Sequence, residues 1–193
     1  MIISYFGNDC FRLQSGETSL LIDSDNNRLK ADVVLKTLSA TDTDAILDAD
    51  AAGTTISFPG EYEAKGMEIT GFPVVGESTE KFLKTVYVVR WEDMKFVFLG
   101  HLSRPIDATL MEECAEPDVL FLPIGGGHFL EPDVAAKIAK QMEARIVVPS
   151  FAKNADEFLK ALGKKAEPME KFVFKAKDVA TDKGRPVVLV TSN

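Results

Sequence analysis

The chain has 193 residues, 46% of them hydrophobic and 27% charged, with a net charge of −8. This excludes disorder, collagen and coiled coil as overall descriptions, and the acidic balance speaks against nucleic acid as a partner. Two cysteines, Cys10 and Cys114, are too few for a disulfide framework, and no apolar run approaches the roughly 20 residues that cross a bilayer.

The first half reads as strands. Short apolar runs at 2–6, 10–13 and 19–23 are separated by the turn signals Gly7-Asn8-Asp9 and Ser15-Gly16-Glu17. Further strands are predicted at 32–37, 55–58 and 67–72, and a hairpin at 84–99 turning through Glu92-Asp93-Met94. The aspartate-rich stretch 40–53 reads as a loop, with room for a short helix. The second half alternates: a short helix at 107–114, a strand at 118–122, a helix at 132–143 and a strand at 145–148. Pro132 and Asp133 suit a helix start, and Val134, Ala135, Ile138, Ala139 and Met142 share one face. Asn154 and Glu157 have the capping-box form for a helix that stops at Gly163. Strands at 172–174 and 186–190 follow. Strands first and helix–strand units later predict one domain over 1–193, an α/β fold with two packed sheets and helices outside. The N-terminus has no basic flank and no cleavable apolar core, so a cytoplasmic, reduced protein is expected.

Several motifs, in order, resemble the metallo-β-lactamase superfamily, in particular its small zinc-dependent-hydrolase-like branch. They are Tyr5-Phe6-Gly7-Asn8-Asp9-Cys10-Phe11, Leu20-Leu21-Ile22-Asp23, Phe58-Pro59-Gly60-Glu61-Tyr62-Glu63, Phe98-Leu99-Gly100 and Val119 through Gly126. The resemblance implies a four-layer αββα sandwich with two mixed β-sheets. It also implies a metal site where this chain departs from the pattern. Where the family carries His-x-His-x-Asp-His, this chain has Leu38, Ala40, Asp42 and Thr43, and only the aspartate matches. His101 stands where a bridging aspartate is expected, and Phe151 where the last ligand would come. With only His101 and His128 in the chain, a site of several imidazoles cannot be assembled from one copy.

Two functions are weighed. The first is a non-catalytic pseudo-hydrolase with degenerate metal motifs and no cofactor, acting through ligand binding or assembly, its vestigial site formed by Leu38, Ala40, Asp42, Thr43, His101 and Phe151. Apolar replacements would make that cavity apolar, with the Phe151 ring filling it. The alternative is a hydrolase with one divalent metal ion in a rearranged site drawn from Asp23, Asp42, His101 and His128. Glu61, Tyr62 and Glu63 form a further polar motif, read either as acid–base carboxylates or as turn structure. The loop Gly125-Gly126-Gly127-His128 reads as loop geometry. Apolar Phe129 and Leu130 beside it need cover, which predicts a homo-oligomer. Nothing in the sequence names a small-molecule ligand.

Overall fold

The computed structural model describes the chain apart from residues 8, 26–27, 43–45, 50–52, 152–153, 182–185 and 192–193, with the backbone alone at 46–49 and 180–181. In chain order the elements are β1 (Ile2–Tyr5), β2 (Phe11–Ser15), β3 (Thr18–Ile22), β4 (Val33–Leu35), β5 (Leu38–Ala40), β6 (Ile46–Ala49), β7 (Gly53–Ile56), β8 (Gly60–Ala64), β9 (Met67–Pro73), β10 (Phe82–Trp91), β11 (Met94–Phe98), α1 (Ala108–Glu113), β12 (Val119–Pro123), α2 (Pro132–Gln141), β13 (Ile146–Ser150), α3 (Asp156–Leu162), β14 (Pro168–Met169), β15 (Lys171–Val173), α4 (Ala176–Thr181) and β16 (Leu189–Val190). A 3₁₀ turn covers Val75–Glu77.

Two mixed sheets form. The first runs β15-β1-β2-β3-β4-β7-β6, and the second runs β13-β12-β11-β10-β9-β8, with β5 also pairing β10. Their inner faces meet in one core. Phe11 from the first sheet lies edge-on to Phe121 of the second at 5.1 Å between ring centres, and Phe121 stacks on Phe98 at 4.6 Å. Such offset and edge contacts stabilise beyond area burial alone. The outer face of the second sheet is covered by α1, α2 and α3 through Leu110, Ile138, Ala139, Phe158 and Leu159. The expected two-sheet α/β architecture is therefore the one that forms. Leu21, Val33, Leu35, Ile56, Val97, Leu99, Leu120, Ile146 and Val148, all within the segments predicted as strands, are buried.

Local chemistry sets the ends of the elements. Glu92 and Asp93 both have positive φ (51° and 60°) between paired Trp91 and Met94, a primed two-residue turn whose twist matches the strands it joins. Asp107 caps α1 by accepting a bond from the Leu110 amide at 2.8 Å. Gly163 ends α3 in the left-handed conformation, φ 68°. The capping box at Asn154 does not form. Asn154 instead accepts from the Asp156 amide two residues on, at 2.7 Å, and α3 starts one residue later than a cap there would place it.

Strands also form where none was predicted. Residues 38–40 pair with β10, and 46–49 pair with β7.

Candidate active site

Parallel pairing makes β3 and β4 point the same way in one sheet, and β11, β12 and β13 the same way in the other. The segments leaving these strands carry Asp23, Thr37, His101, Phe129 and Phe151, and the contacts below join them. Such strand C-termini are where α/β sheets bind ligands. Asp9 reaches the same place from the loop before β2, within range of the Asp23 charge.

Asp23 and His101 are linked through Thr37. The Asp23 carboxylate accepts from the Thr37 amide at 2.7 Å and from the Thr37 hydroxyl. The same hydroxyl lies 2.8 Å from His101 Nδ1, which is 3.8 Å from Asp23 Oδ2. A hydroxyl has one proton. Having donated it to Asp23, Thr37 can only accept from His101, so the imidazole carries its proton on Nδ1 and keeps a lone pair on Nε2. Burial lowers the His101 pKa, against the pull of Asp23, which favours this neutral form.

Beneath this relay lie two buried carboxylates. Burial, and then the charge of Asp23, push Asp9 well above the usual carboxylate range, with Ser150 opposing. Burial raises Asp23 too, against His101 and the two Thr37 donors. Among the described residues Asp9 Oδ1 has no hydrogen-bond partner. Burial therefore disfavours the two carboxylates being charged together, and Asp9 is the more strongly raised of the pair. Asp9, Asp23 and Phe151 all have positive φ (65°, 47° and 54°), a conformation costly for residues other than glycine and clustered at functional sites.

The rim is aromatic. Phe151 lies 5.0 Å from the His101 ring and stacks on Phe129 at 3.8 Å. Gly125 permits this arrangement, since a Cβ there would lie 2.4 Å from the Phe151 carbonyl oxygen.

The structure thus brings together Asp23, His101 and Phe151 from the residues singled out in the sequence. It does not bring Asp42, which is exposed on the turn after β5. Leu38 and Ala40 are half-buried in β5, their backbones paired with Lys84 and Phe82. Thr43 lies outside the described residues. The apolar cavity expected from these replacements is corrected: Phe151 supplies an apolar rim, but the floor is Asp9, Asp23, Thr37 and Ser150. His128 is exposed, and the Gly127 amide beside it donates to Glu131 at 3.1 Å. Glu61 and Glu63 are exposed on β8, while the Tyr62 hydroxyl donates to the carbonyls of Phe58 and Pro59 at 3.0 and 3.2 Å. Sequence reasoning missed Asp9, Thr37 and Ser150. Asp9 sat inside a turn signal, and hydroxyl residues carry no diagnostic spacing.

The model for a β-lactamase superfamily domain matches residues 2–150. The chain belongs to the metallo-β-lactamase superfamily. A UPF0173 metal-dependent hydrolase from Methanopyrus kandleri is 31% identical over 98 residues, which is 47% of this chain and 43% of that relative; the match thus spans less than half of that protein's length. Solved structures share the fold of this superfamily member. A Thermotoga maritima protein assigned as a Zn-dependent hydrolase of the superfamily superposes with a TM-score of 0.80 at 24% identity, covering 100% of this chain and 99% of that one. Igni18, a metallo hydrolase from Ignicoccus hospitalis, gives 0.64 at 19%, covering 90% and 99%. These findings overturn the expectation of no cofactor, because the relatives are named for a metal. They favour the hydrolase reading over the non-catalytic one.

By chemical type, though not by placement, the donors suit one hard cation. Two carboxylates, one of them with a partnerless buried oxygen, and one neutral imidazole suit a single oxygen-preferring divalent ion. Among the described residues no three His, Cys, Asp or Glu side chains already surround a common point, so Asp9, Asp23 and His101 are a donor set rather than a finished coordination shell.

Proposed function

We propose that the chain is a metal-dependent hydrolase with a rearranged, carboxylate-rich mononuclear site in which Asp9, Asp23 and His101 hold one divalent cation. The observation that carries this reading is the Asp23–Thr37–His101 relay standing against the buried Asp9 carboxyl, whose Oδ1 has no hydrogen-bond partner among the described residues. Such a cation supplies a bound water of lowered pKa, a nucleophile at neutral pH. The chain's own residues do the rest. Asp23 fixes the Thr37 hydroxyl, and Thr37 fixes the His101 ring and its tautomer. Asp9 holds a proton when no cation is bound and releases it on binding, as a ligand must. Phe129 and Phe151 keep bulk water from one side of the imidazole.

Thermal denaturation with and without Mn²⁺, Mg²⁺ or Zn²⁺ tests this reading. One equivalent of cation should raise the midpoint, and saturation at 100 times Kd should add about 2.7 kcal/mol. Asp23→Asn and His101→Gln should each remove the rise. A wild-type midpoint indifferent to all three ions would refute the metal site and return the protein to the non-catalytic reading.

A further inference from the structure

Beside this site lies a cavity of about 390 Å³, walled by Tyr5, Ser150, Phe151, Asp156, Leu159 and Leu189, among others. It shares two walls with the candidate active site. Ser150 faces Asp9 on one side and the cavity on the other. Phe151 contacts His101 and also lines the cavity. A molecule seated there would therefore lie against the residues that touch the donor set.

Its chemistry is selective. Tyr5, Pro149, Phe151, Leu159, Leu189 and Val190 offer apolar surface. Asp156 adds a carboxylate, the buried Asp9–Asp23 pair lies behind Ser150, and none of the described wall residues is a lysine, arginine or histidine. In the metal-free chain, an anion would meet only like charge among the described wall residues, with no cation there to offset its desolvation. A cavity of about 150 Å³ already holds benzene, so this one has room for a single ring with a short chain.

We propose that this cavity is the substrate subsite of the hydrolase, and that it takes an uncharged, ring-sized apolar group rather than a phosphate or other anion. The assignment of a subsite rests on the metal-site reading above; the binding preference does not. Ala166, half-buried in the wall, provides a way to fill the cavity.

The test uses the full chain, first without metal, titrated by NMR with benzamide and with phenylphosphonate, which carry the same ring without and with negative charge. Benzamide should shift the Leu159 and Leu189 methyl signals, and phenylphosphonate should bind at least tenfold more weakly. Ala166→Trp should abolish the benzamide shifts; should that variant unfold, Thr191→Phe narrows the same cavity. Equal affinity for the two probes, or benzamide shifts that survive a folded cavity-filling variant, would overturn the binding preference. Mn²⁺ is then added. Broadening of the benzamide protons supports a subsite beside the ion, whereas Mn²⁺ uptake without broadening refutes it. Absence of Mn²⁺ uptake with benzamide binding intact overturns the metal reading and the subsite role, and leaves the binding preference standing.

Discussion

Gly100 and Thr37 are packed so closely that a methyl group on Gly100 would lie 2.2 Å from the Thr37 hydroxyl oxygen, and Gly100 has φ 55° besides. Gly100→Ala should therefore cost about 2–3 kcal/mol in denaturant unfolding. It should also displace Thr37, so the Nδ1 proton of His101 should exchange faster by NMR. Asp9 behaves in the opposite sense. Its carboxyl is buried beside Asp23 with one oxygen unpaired. Asp9→Asn should raise the stability of the metal-free protein by about 1–2 kcal/mol at pH 7 and abolish its response to divalent cations. A stabilised variant that still binds the ion would remove Asp9 from the donor set. At this scale the sequence was partly legible. Asp23 and His101 stood out by residue type and by their place after apolar runs. Asp42 stood out too, because it matched a motif, and it lies exposed on the turn after β5. Thr37 and Ser150 act only through neighbours more than ten residues away, and no local pattern reports that.

Glu77, on the 3₁₀ turn before β10, holds together three separate segments. Its carboxylate bonds Lys84 Nζ at 2.7 Å, the Ser103 amide and hydroxyl at 2.9 and 2.6 Å, and the Arg104 amide at 2.9 Å, with a side chain only 6% exposed. Burial works against its charge, but these donors win and hold the carboxyl below its ordinary value. A depressed carboxylate adds stability above its unfolded pKa of about 4.3 and loses it as pH falls through the folded value. Glu77→Gln should thus cost about 1.5–3 kcal/mol near pH 7. The gap to wild type should narrow steadily below about pH 4; a gap independent of pH would mean the carboxylate is not what ties the segments. Elements were legible where burial imposes a period. β3, β11, β12 and β13 are apolar runs bounded by breakers, and α2 shows its stripe. The strand at 46–49 was not legible, since Asp48 lowers its strand signal and only pairing with β7 selects the extended form. The strand at 38–40 was hidden because the segment was read for missing ligands rather than for its partner, β10.

Across the whole molecule, the two sheets share one core, and we propose a single cooperative unit over 1–193. Its unfolding by heat and by denaturant should show coincident transitions by far-UV and near-UV circular dichroism; two separated transitions would divide the chain. Among the described residues no helix is long and apolar enough to cross a membrane. The apolar loop that suggested self-association is covered within the chain: Leu130 is buried and Phe129 stacks on Phe151. We propose that this loop plays no part in any association, so Phe129→Ser should leave the sedimentation profile unchanged, and a shift in species would restore that loop as an interface. One further feature bears on how the protein is made. β1 pairs on one side with β15, joining Ile2, Ile3 and Ser4 to Val173, Phe172 and Lys171. β1 leaves the ribosome some 170 residues before its partner β15, and at about 5–20 residues per second that strand edge stays open for roughly ten seconds or more. A nascent chain with an unpaired edge for so long is a target for chaperones and for stray strand pairing.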